Sequence, residues 1–266
     1  MDTRGILRPA AVDTVFRLER RPPPRDLERF IDGHWIVSWD LRGREPYRSE
    51  VMPHPAVHMV FEPAGVAVFG VHRRRYDRVL RGRGWAVGTK FRPGGFASFV
   101  ERPICELTDT AVSLDEVFGA AGERLGRQAA GSDEPDVMLA ALHGFLRPRL
   151  PERVEPGIAL VDAAVADMRT APPGTRVAEI ASRHNVSTRT LQRLFRRYVG
   201  VGPKWVLQRY RLHTAIEQLA SRQGTDWTRL ALELGYFDHA HFIADFQALV
   251  GRSPAQYEAE AAAAPR

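Results

Sequence analysis

Cysteine occurs once in this sequence, at Cys105. That excludes a disulfide within the chain and a cysteine-based zinc module, and it suits a reducing compartment. Long apolar runs are missing: no uninterrupted stretch approaches the roughly 20 residues a membrane span needs. The opening residues, Met1-Asp2-Thr3-Arg4, carry an early acid and no apolar segment of the kind a secretion signal uses. Together these absences predict a cytoplasmic protein with no membrane partner. Three catalytic signatures are absent as well: a Gly-rich phosphate loop, a Gly-x-Ser-x-Gly elbow and a Cys-x-x-Cys pair. Lysine is nearly absent, with Lys90 and Lys204 the only two, so 36 of the 38 basic residues are arginine.

The chain has 266 residues, 44% hydrophobic and 26% charged, a composition that folds and a length that fits two domains. Its net charge is +6, and the distribution tells more than the total. Residues 176–211 hold nine cations (Arg176, Arg183, Arg189, Arg193, Arg196, Arg197, Lys204, Arg209 and Arg211) against one acid, Glu179. That local +8 exceeds the charge of the whole chain and is a candidate footprint for a polyanion.

Residues 1–29 are rich in Pro and Arg without a clear period, and Pro22-Pro23-Pro24 reads as an extended lead-in. From Phe30 to about Val100 short β-like runs alternate with Gly and Pro. Trp35, Val37, Trp39 and Leu41 share one face of His34–Leu41. Further runs lie at Ala56–Phe61, Val66–Val71, Tyr76–Leu80 and Trp85–Phe91, predicting a small antiparallel sandwich or barrel. After about Ser113 the pattern turns helical, with Leu114, Val117 and Phe118 on one face and a second helix over Asp136–Leu146. Pro148, Pro151 and Pro156 mark a boundary, and Ile158–Tyr257 reads as helical throughout. The fold class is α+β. The predicted division is 1–125 as a β-rich domain, 126–156 as a helical linker and 157–260 as a helical domain.

The helical part contains a repeat. Val177, Ile180 and Ala181 fall on Trp227, Leu230 and Ala231 at an offset of 50. Leu191, Phe195, Gly200 and Pro203 fall on Phe242, Phe246, Gly251 and Pro254 at an offset of 51, so the second copy has one extra residue in its turn. Each copy reads as helix, tight turn, helix. In the first, Asn185 suits the turn and Ser187 suits the N-cap of the next helix. There Leu191, Leu194, Phe195 and Tyr198 face the core, while Arg189, Gln192, Arg193 and Arg196 share the opposite face. Basic helical faces are usually solvated. A helix bound for the major groove, however, needs long planar donors away from its core, since Arg reads guanine and Gln reads adenine bidentately. The repeat, the turn and the charge concentration together favour the second reading.

Residues 174–258 resemble the DNA-binding domain of the AraC/XylS family of bacterial transcription regulators. The resemblance is carried by Val177-Ala178-Glu179-Ile180-Ala181, Ser187-Thr188-Arg189-Thr190-Leu191-Gln192-Arg193-Leu194-Phe195 and Gly200-x-x-Pro203. It continues through Arg211-Leu212-x-x-Ala215, Leu230-Ala231-x-x-Leu234-Gly235-Tyr236, His241-Phe242-x-x-x-Phe246 and Gly251-Arg252-Ser253-Pro254-x-x-Tyr257. It implies two helix-turn-helix units joined by a long helix at about Lys204–Ala220, each placing one helix in the major groove of double-stranded DNA. By position, Arg189, Gln192 and Arg193 would read bases in the first unit, and His239, Ala240, His241 and Ala244 in the second. Ser187, Arg196 and Arg197 complete the candidate contacts, the two arginines on phosphate or in solvent. The second unit departs from the pattern, because Asp238–Val250 has no Lys or Arg and residues 212–266 sum to −3. Its grip on phosphate should be weak.

Through Met52-Pro53-His54-Pro55-x-Val57-His58 and Gly88-x-Lys90-Phe91-Arg92-Pro93-Gly94-Gly95-Phe96, residues 30–115 resemble, less specifically, the cupin-like domains attached to such regulators, which bind a small effector or mediate dimerisation. A small molecule, a second copy of the chain and RNA polymerase are therefore further candidate partners. Trp35, Trp39, Trp85, His54 and His58 are the candidate pocket residues, although an aromatic stripe at strand period is more often plain core. His54, His58 and Glu62 would share one face of a strand, with His72 on a later one, which raises the alternative of a cupin-type metal enzyme. Ligands four residues apart on a strand lie about 13 Å apart, too far for one ion, so no metal and no cofactor are expected. Cys105 reads as a bystander in a β context. Arg73-Arg74-Arg75, with Arg78, Arg81 and Arg83, reads as a solvated hairpin or as a contact for DNA flanks or an acidic effector.

Overall fold

The computed structural model describes residues 6–130, 132–221 and 226–263. The N-terminal half is an antiparallel six-stranded sheet, in the order β1-β2-β7-β4-β5-β8, facing a two-stranded β3-β6 ribbon. Its strands are β1 (Phe16–Arg21), β2 (Ile31–Leu41), β3 (Tyr47–Val51), β4 (His58–Glu62), β5 (Gly65–Phe69), β6 (Tyr76–Leu80), β7 (Gly82–Phe91) and β8 (Ala111–Ser113). Period-2 alternation divides the large sheet cleanly. Ile36, Met59, Phe61, Val68, Val87 and Phe91 point to one face, where α1 (Leu114–Phe118), α2 (Ala120–Ala130) and α3 (Pro135–Leu146) close the main core. Met138, Leu139, Leu142 and Leu146 of α3 belong to that core, so residues 135–146 are built into the sheet domain.

Several sequence expectations are corrected here. Residues 1–29 are not only a lead-in, because Phe16–Arg21 pairs with Trp39–His34 as the edge strand β1. His54 does not share a strand with His58, since Pro53 and Pro55 interrupt the extended run and β4 begins at His58. Cys105 lies in a 3-10 turn, Ile104–Leu107, rather than in a strand.

The C-terminal half is helical: α4 (Pro156–Thr170), α5 (Val177–Arg183), α6 (Thr188–Tyr198), α7 (Pro203–Ser221), α8 (Trp227–Glu233), α9 (His239–Val250) and α10 (Pro254–Ala263). Two cores follow from it. Val161, Ile180, Leu191, Phe195 and Val206 bury together around the first repeat. Leu230, Phe242, Phe246 and Tyr257 do so around the second, and Leu7 and Met52 from the N-terminal half enter that second cluster.

Further ties bind the halves. Glu50 of β3 is 6% exposed and meets Arg252 at 2.7 Å, Arg75 at 3.0 Å and Arg8 at 3.3 Å. Arg75 also donates to the Val250 carbonyl at 2.7 Å, and Arg209 donates to the Arg73 carbonyl at 2.8 Å. Arg73 itself pairs with Asp109. Two of the three consecutive arginines therefore join intramolecular contacts, a role the sequence reading of a solvated hairpin did not include.

Candidate nucleic-acid interface and interdomain cavity

In the first repeat Asn185, at φ 54°, reverses the chain after α5, and the Ser187 hydroxyl then caps α6 by accepting from the Thr190 amide at 3.0 Å. Leu191, Leu194 and Phe195 are buried, which fixes the rotation of α6 and turns Arg189, Gln192, Arg193, Arg196 and Arg197 to the surface. The four arginines form no ion pair among the described residues. Arg197 leans over the Tyr198 ring, 5.5 Å from its centroid, while the Ser187 hydroxyl is committed to its cap and to Thr190.

The second repeat has the same frame. Gly235, at φ 75°, takes the place of Asn185. The Val186 amide donates to Ala181 at 3.0 Å and the Tyr236 amide to Ala231 at 2.9 Å, so these two residues are equivalent. The N-caps are Ser187 and Asp238, and the Asp238 carboxylate accepts from the His241 amide at 2.7 Å. Phe237 is therefore the inserted residue. His241 is exposed beside Asp245, whereas His239 is half-buried, so the structure separates the two histidines proposed for this helix. Ala240 and Ala244 are exposed.

Between the sheet domain and the helices lies a cavity of about 730 Å³. Its sheet wall includes Trp35, Trp39, His58 and Lys90, and its helical wall includes Val165 of α4 with Tyr210 and His213 of α7. Trp35 and Trp39 lie flat across β7 because their cross-strand partners are Gly88 and Gly84. A Cβ at Gly88 would come within 2.0 Å of the Trp35 ring, and one at Gly84 within 2.4 Å of Trp39. The Trp35 indole donates to His58 Nδ1 at 3.2 Å, which leaves the imidazole proton on Nε2. His54 stacks on His213 with ring centroids 4.4 Å apart, joining the sheet domain directly to α7.

These rings line the cavity and are surrounded by protein atoms. Burial, helped by the nearby Lys90 charge, pushes the His58 pKa down to about 3. Burial likewise holds His54 well below the ordinary histidine value, with Lys90 and His213 adding to it. Both rings are neutral near pH 7. Lys90 is paired with Asp32 at 2.8 Å. Trp85 is the exception among the expected pocket residues: β7 pairs it with Ser38, which turns it to the opposite face, against the main core. The helical wall of the cavity, His213 above all, was not found from sequence, because nothing local ties residue 213 to residue 54. Among the described residues no group of three or more His, Cys, Asp or Glu is placed to hold a metal ion. No helix among them is long and apolar enough to cross a membrane.

Comparison with known proteins matches residues 180–260 to a family described as a helix-turn-helix domain and residues 19–113 to a domain of unknown function (DUF6597). No curated protein matches the chain. Among solved structures, a transcriptional regulator with an AraC-type DNA-binding domain from Chromobacterium violaceum is 25% identical, over 40% of this chain and 96% of that one, with a TM-score of 0.37. The C-terminal domain of AraT, a response regulator from Geobacillus stearothermophilus, is 24% identical over 41% and 88%, with a TM-score of 0.36. ToxT from Vibrio cholerae O395 is 9% identical over 94% and 99%, with a TM-score of 0.38. The matched segment begins inside α5 and ends inside α10, so it takes in both groove-type helices and the long helix between them. Residues 180–260 of this chain are a helix-turn-helix domain, and that domain supports reading the protein as a DNA-binding transcription regulator.

Proposed function

We propose that the protein grips its operator chiefly through the first unit, with Arg189, Gln192 and Arg193 on base edges and Arg196 and Arg197 on phosphate. The observation that supports this is the outer face of α6, where four guanidinium groups without internal ion pairs flank one amide. Their spacing puts Arg189, Gln192 and Arg193 near the start of the helix, the end that enters the groove in helix-turn-helix docking. Selection from randomised DNA with wild type, Gln192→Ala and Arg193→Ala tests it. Arg193→Ala is expected to relax preference at one or two adjacent base pairs by about 1–3 kcal/mol. Gln192→Ala removes no charge, so it should alter the motif while leaving the salt dependence almost unchanged. Three identical motifs would remove these residues from base reading.

We also read residues 1–125, with α3 packed into their core, as a sensing part and 157–260 as the DNA-binding part, with a small effector seated in the interdomain cavity. Two tryptophan faces and neutral imidazoles suit an uncharged aromatic or aliphatic body, and the wall contributed by α7 offers a route to both units. A panel of small aromatic and aliphatic compounds, followed by Trp35 and Trp39 fluorescence and by DNA affinity, measures this. If no compound changes either signal, the effector reading falls and the DNA reading stands. Pairing with a second copy and contact with RNA polymerase are further expectations; sedimentation with and without operator DNA tests the first.

A further inference from the structure

The second unit poses a chemical problem. At the offset of 51, the positions of Arg189, Arg193 and Arg197 are held by Ala240, Ala244 and Ala248, and that of Arg196 by Gln247. The helix that would enter the groove therefore lacks every guanidinium of its counterpart. The residue inserted before its N-cap, however, is Phe237. At 93% exposure it is the most exposed large apolar side chain among the described residues. Val186, the last residue before the cap of the first unit, is instead half-buried against its core.

A phenylalanine held entirely in water gains nothing from folding, and a turn residue here could as well be polar. Its place matters: it sits at the mouth of α9, where helix-turn-helix docking brings the chain to the base edges. A phenyl ring there can neither donate nor accept a strong hydrogen bond. The one apolar group that a base pair offers in the major groove is the C5-methyl of thymine. We propose that Phe237 is a specificity-determining DNA contact of the second unit, packing on a thymine methyl. This rests on the DNA-binding reading above. In this division of labour the first unit supplies charge and polar readout, and the second supplies an apolar check that is insensitive to salt.

The test starts from the duplex that wild-type protein selects out of randomised DNA. Within the half-site assigned to the second unit by footprinting, each thymine is replaced in turn by deoxyuracil, which deletes only the methyl group. One or two replacements are expected to weaken wild-type binding about fourfold, the effect of burying roughly one methyl group. Phe237→Ala should lose a similar factor on the unmodified duplex and become indifferent to uracil at those positions. An unchanged melting temperature would show that the variant is folded. Full affinity and an unaltered motif for Phe237→Ala would overturn the proposal, as would losses that simply multiply, and either result would assign the ring to a protein partner. A wild type that selects no motif would sink the parent reading instead.

Discussion

Removing the Glu50 carboxylate probes how firmly the second unit is fastened to the sheet domain. Glu50 is 6% exposed and Arg252 10%, so their 2.7 Å pair is shielded from solvent. Breaking a buried pair by deleting one partner costs about 3–5 kcal/mol, because the other charge is left uncompensated. Here the loss is moderated on one side: Arg75 keeps Asp77 at 2.7 Å and the Val250 carbonyl. Arg252 keeps Glu260, at 3.4 Å and itself half exposed, and a distant place over the Tyr257 ring. The orphaned charge is thus chiefly Arg252, and Glu50→Gln, which conserves volume, should cost about 3 kcal/mol, the lower end of that range. Urea denaturation followed by circular dichroism and tryptophan fluorescence measures it as a lowered midpoint at unchanged slope. A second substitution, Arg252→Met, should then recover part of the loss by removing the unpaired cation. A loss under about 1 kcal/mol, the size expected of a solvated surface pair, would refute the reasoning.

Phe195 and Phe246 are both fully buried at equivalent places in the two repeats, so Phe→Ala at either should cost roughly 3–5 kcal/mol, read by thermal melting; an unaltered melting temperature would contradict the aligned cores. His58, whose pKa in the folded protein is held down near 3, should make stability fall with pH. Below about 6.5 the unfolded chain takes up a proton that the folded ring does not, so stability is lost on the way down to the folded value. Discounted because His58 is only partly buried, the loss is about 1–2 kcal/mol by pH 5; His58→Gln should flatten that slope in urea titrations at pH 7 and pH 5. Gly88→Ala would drive a Cβ to within 2.0 Å of the Trp35 ring, so it should shift the tryptophan emission and cost about 1–3 kcal/mol.

Much of this molecule was legible in its sequence because the informative signals were local. The cap at Ser187, the turn at Asn185 and the 3.6-residue spacing of Leu191, Leu194 and Phe195 define the exposed face of α6 without reference to the rest of the chain. The alternation of Trp35, Val37 and Trp39 likewise placed them on one face of β2. What was hidden depends on register and distance. Trp85 looked like a fourth pocket aromatic, but only the pairing of Trp85 with Ser38 shows that it faces the other way. Strand β1 was masked by its charged residues, Arg17, Glu19, Arg20 and Arg21, which an edge strand tolerates. The meeting of Glu50 with Arg252 spans two hundred residues and leaves no periodic trace.

The burial of Leu7 and Met52 in the same cluster as Tyr257 bears on how the chain acquires its fold. Loop-closure entropy grows with the length of chain enclosed, and contacts this remote in sequence are reached late. On the ribosome, the sheet domain and the first repeat can assemble while residues 226–257 are still unmade. Until those residues emerge, Leu7 and Met52 have only Leu212, Ala215 and Leu219 of α7 from that cluster to pack against, and the second repeat arrives as the last piece, folding onto a template already in place. Synthesis thus builds the two helix-turn-helix units in sequence, the strongly basic one first and the one whose core takes in Leu7 and Met52 second.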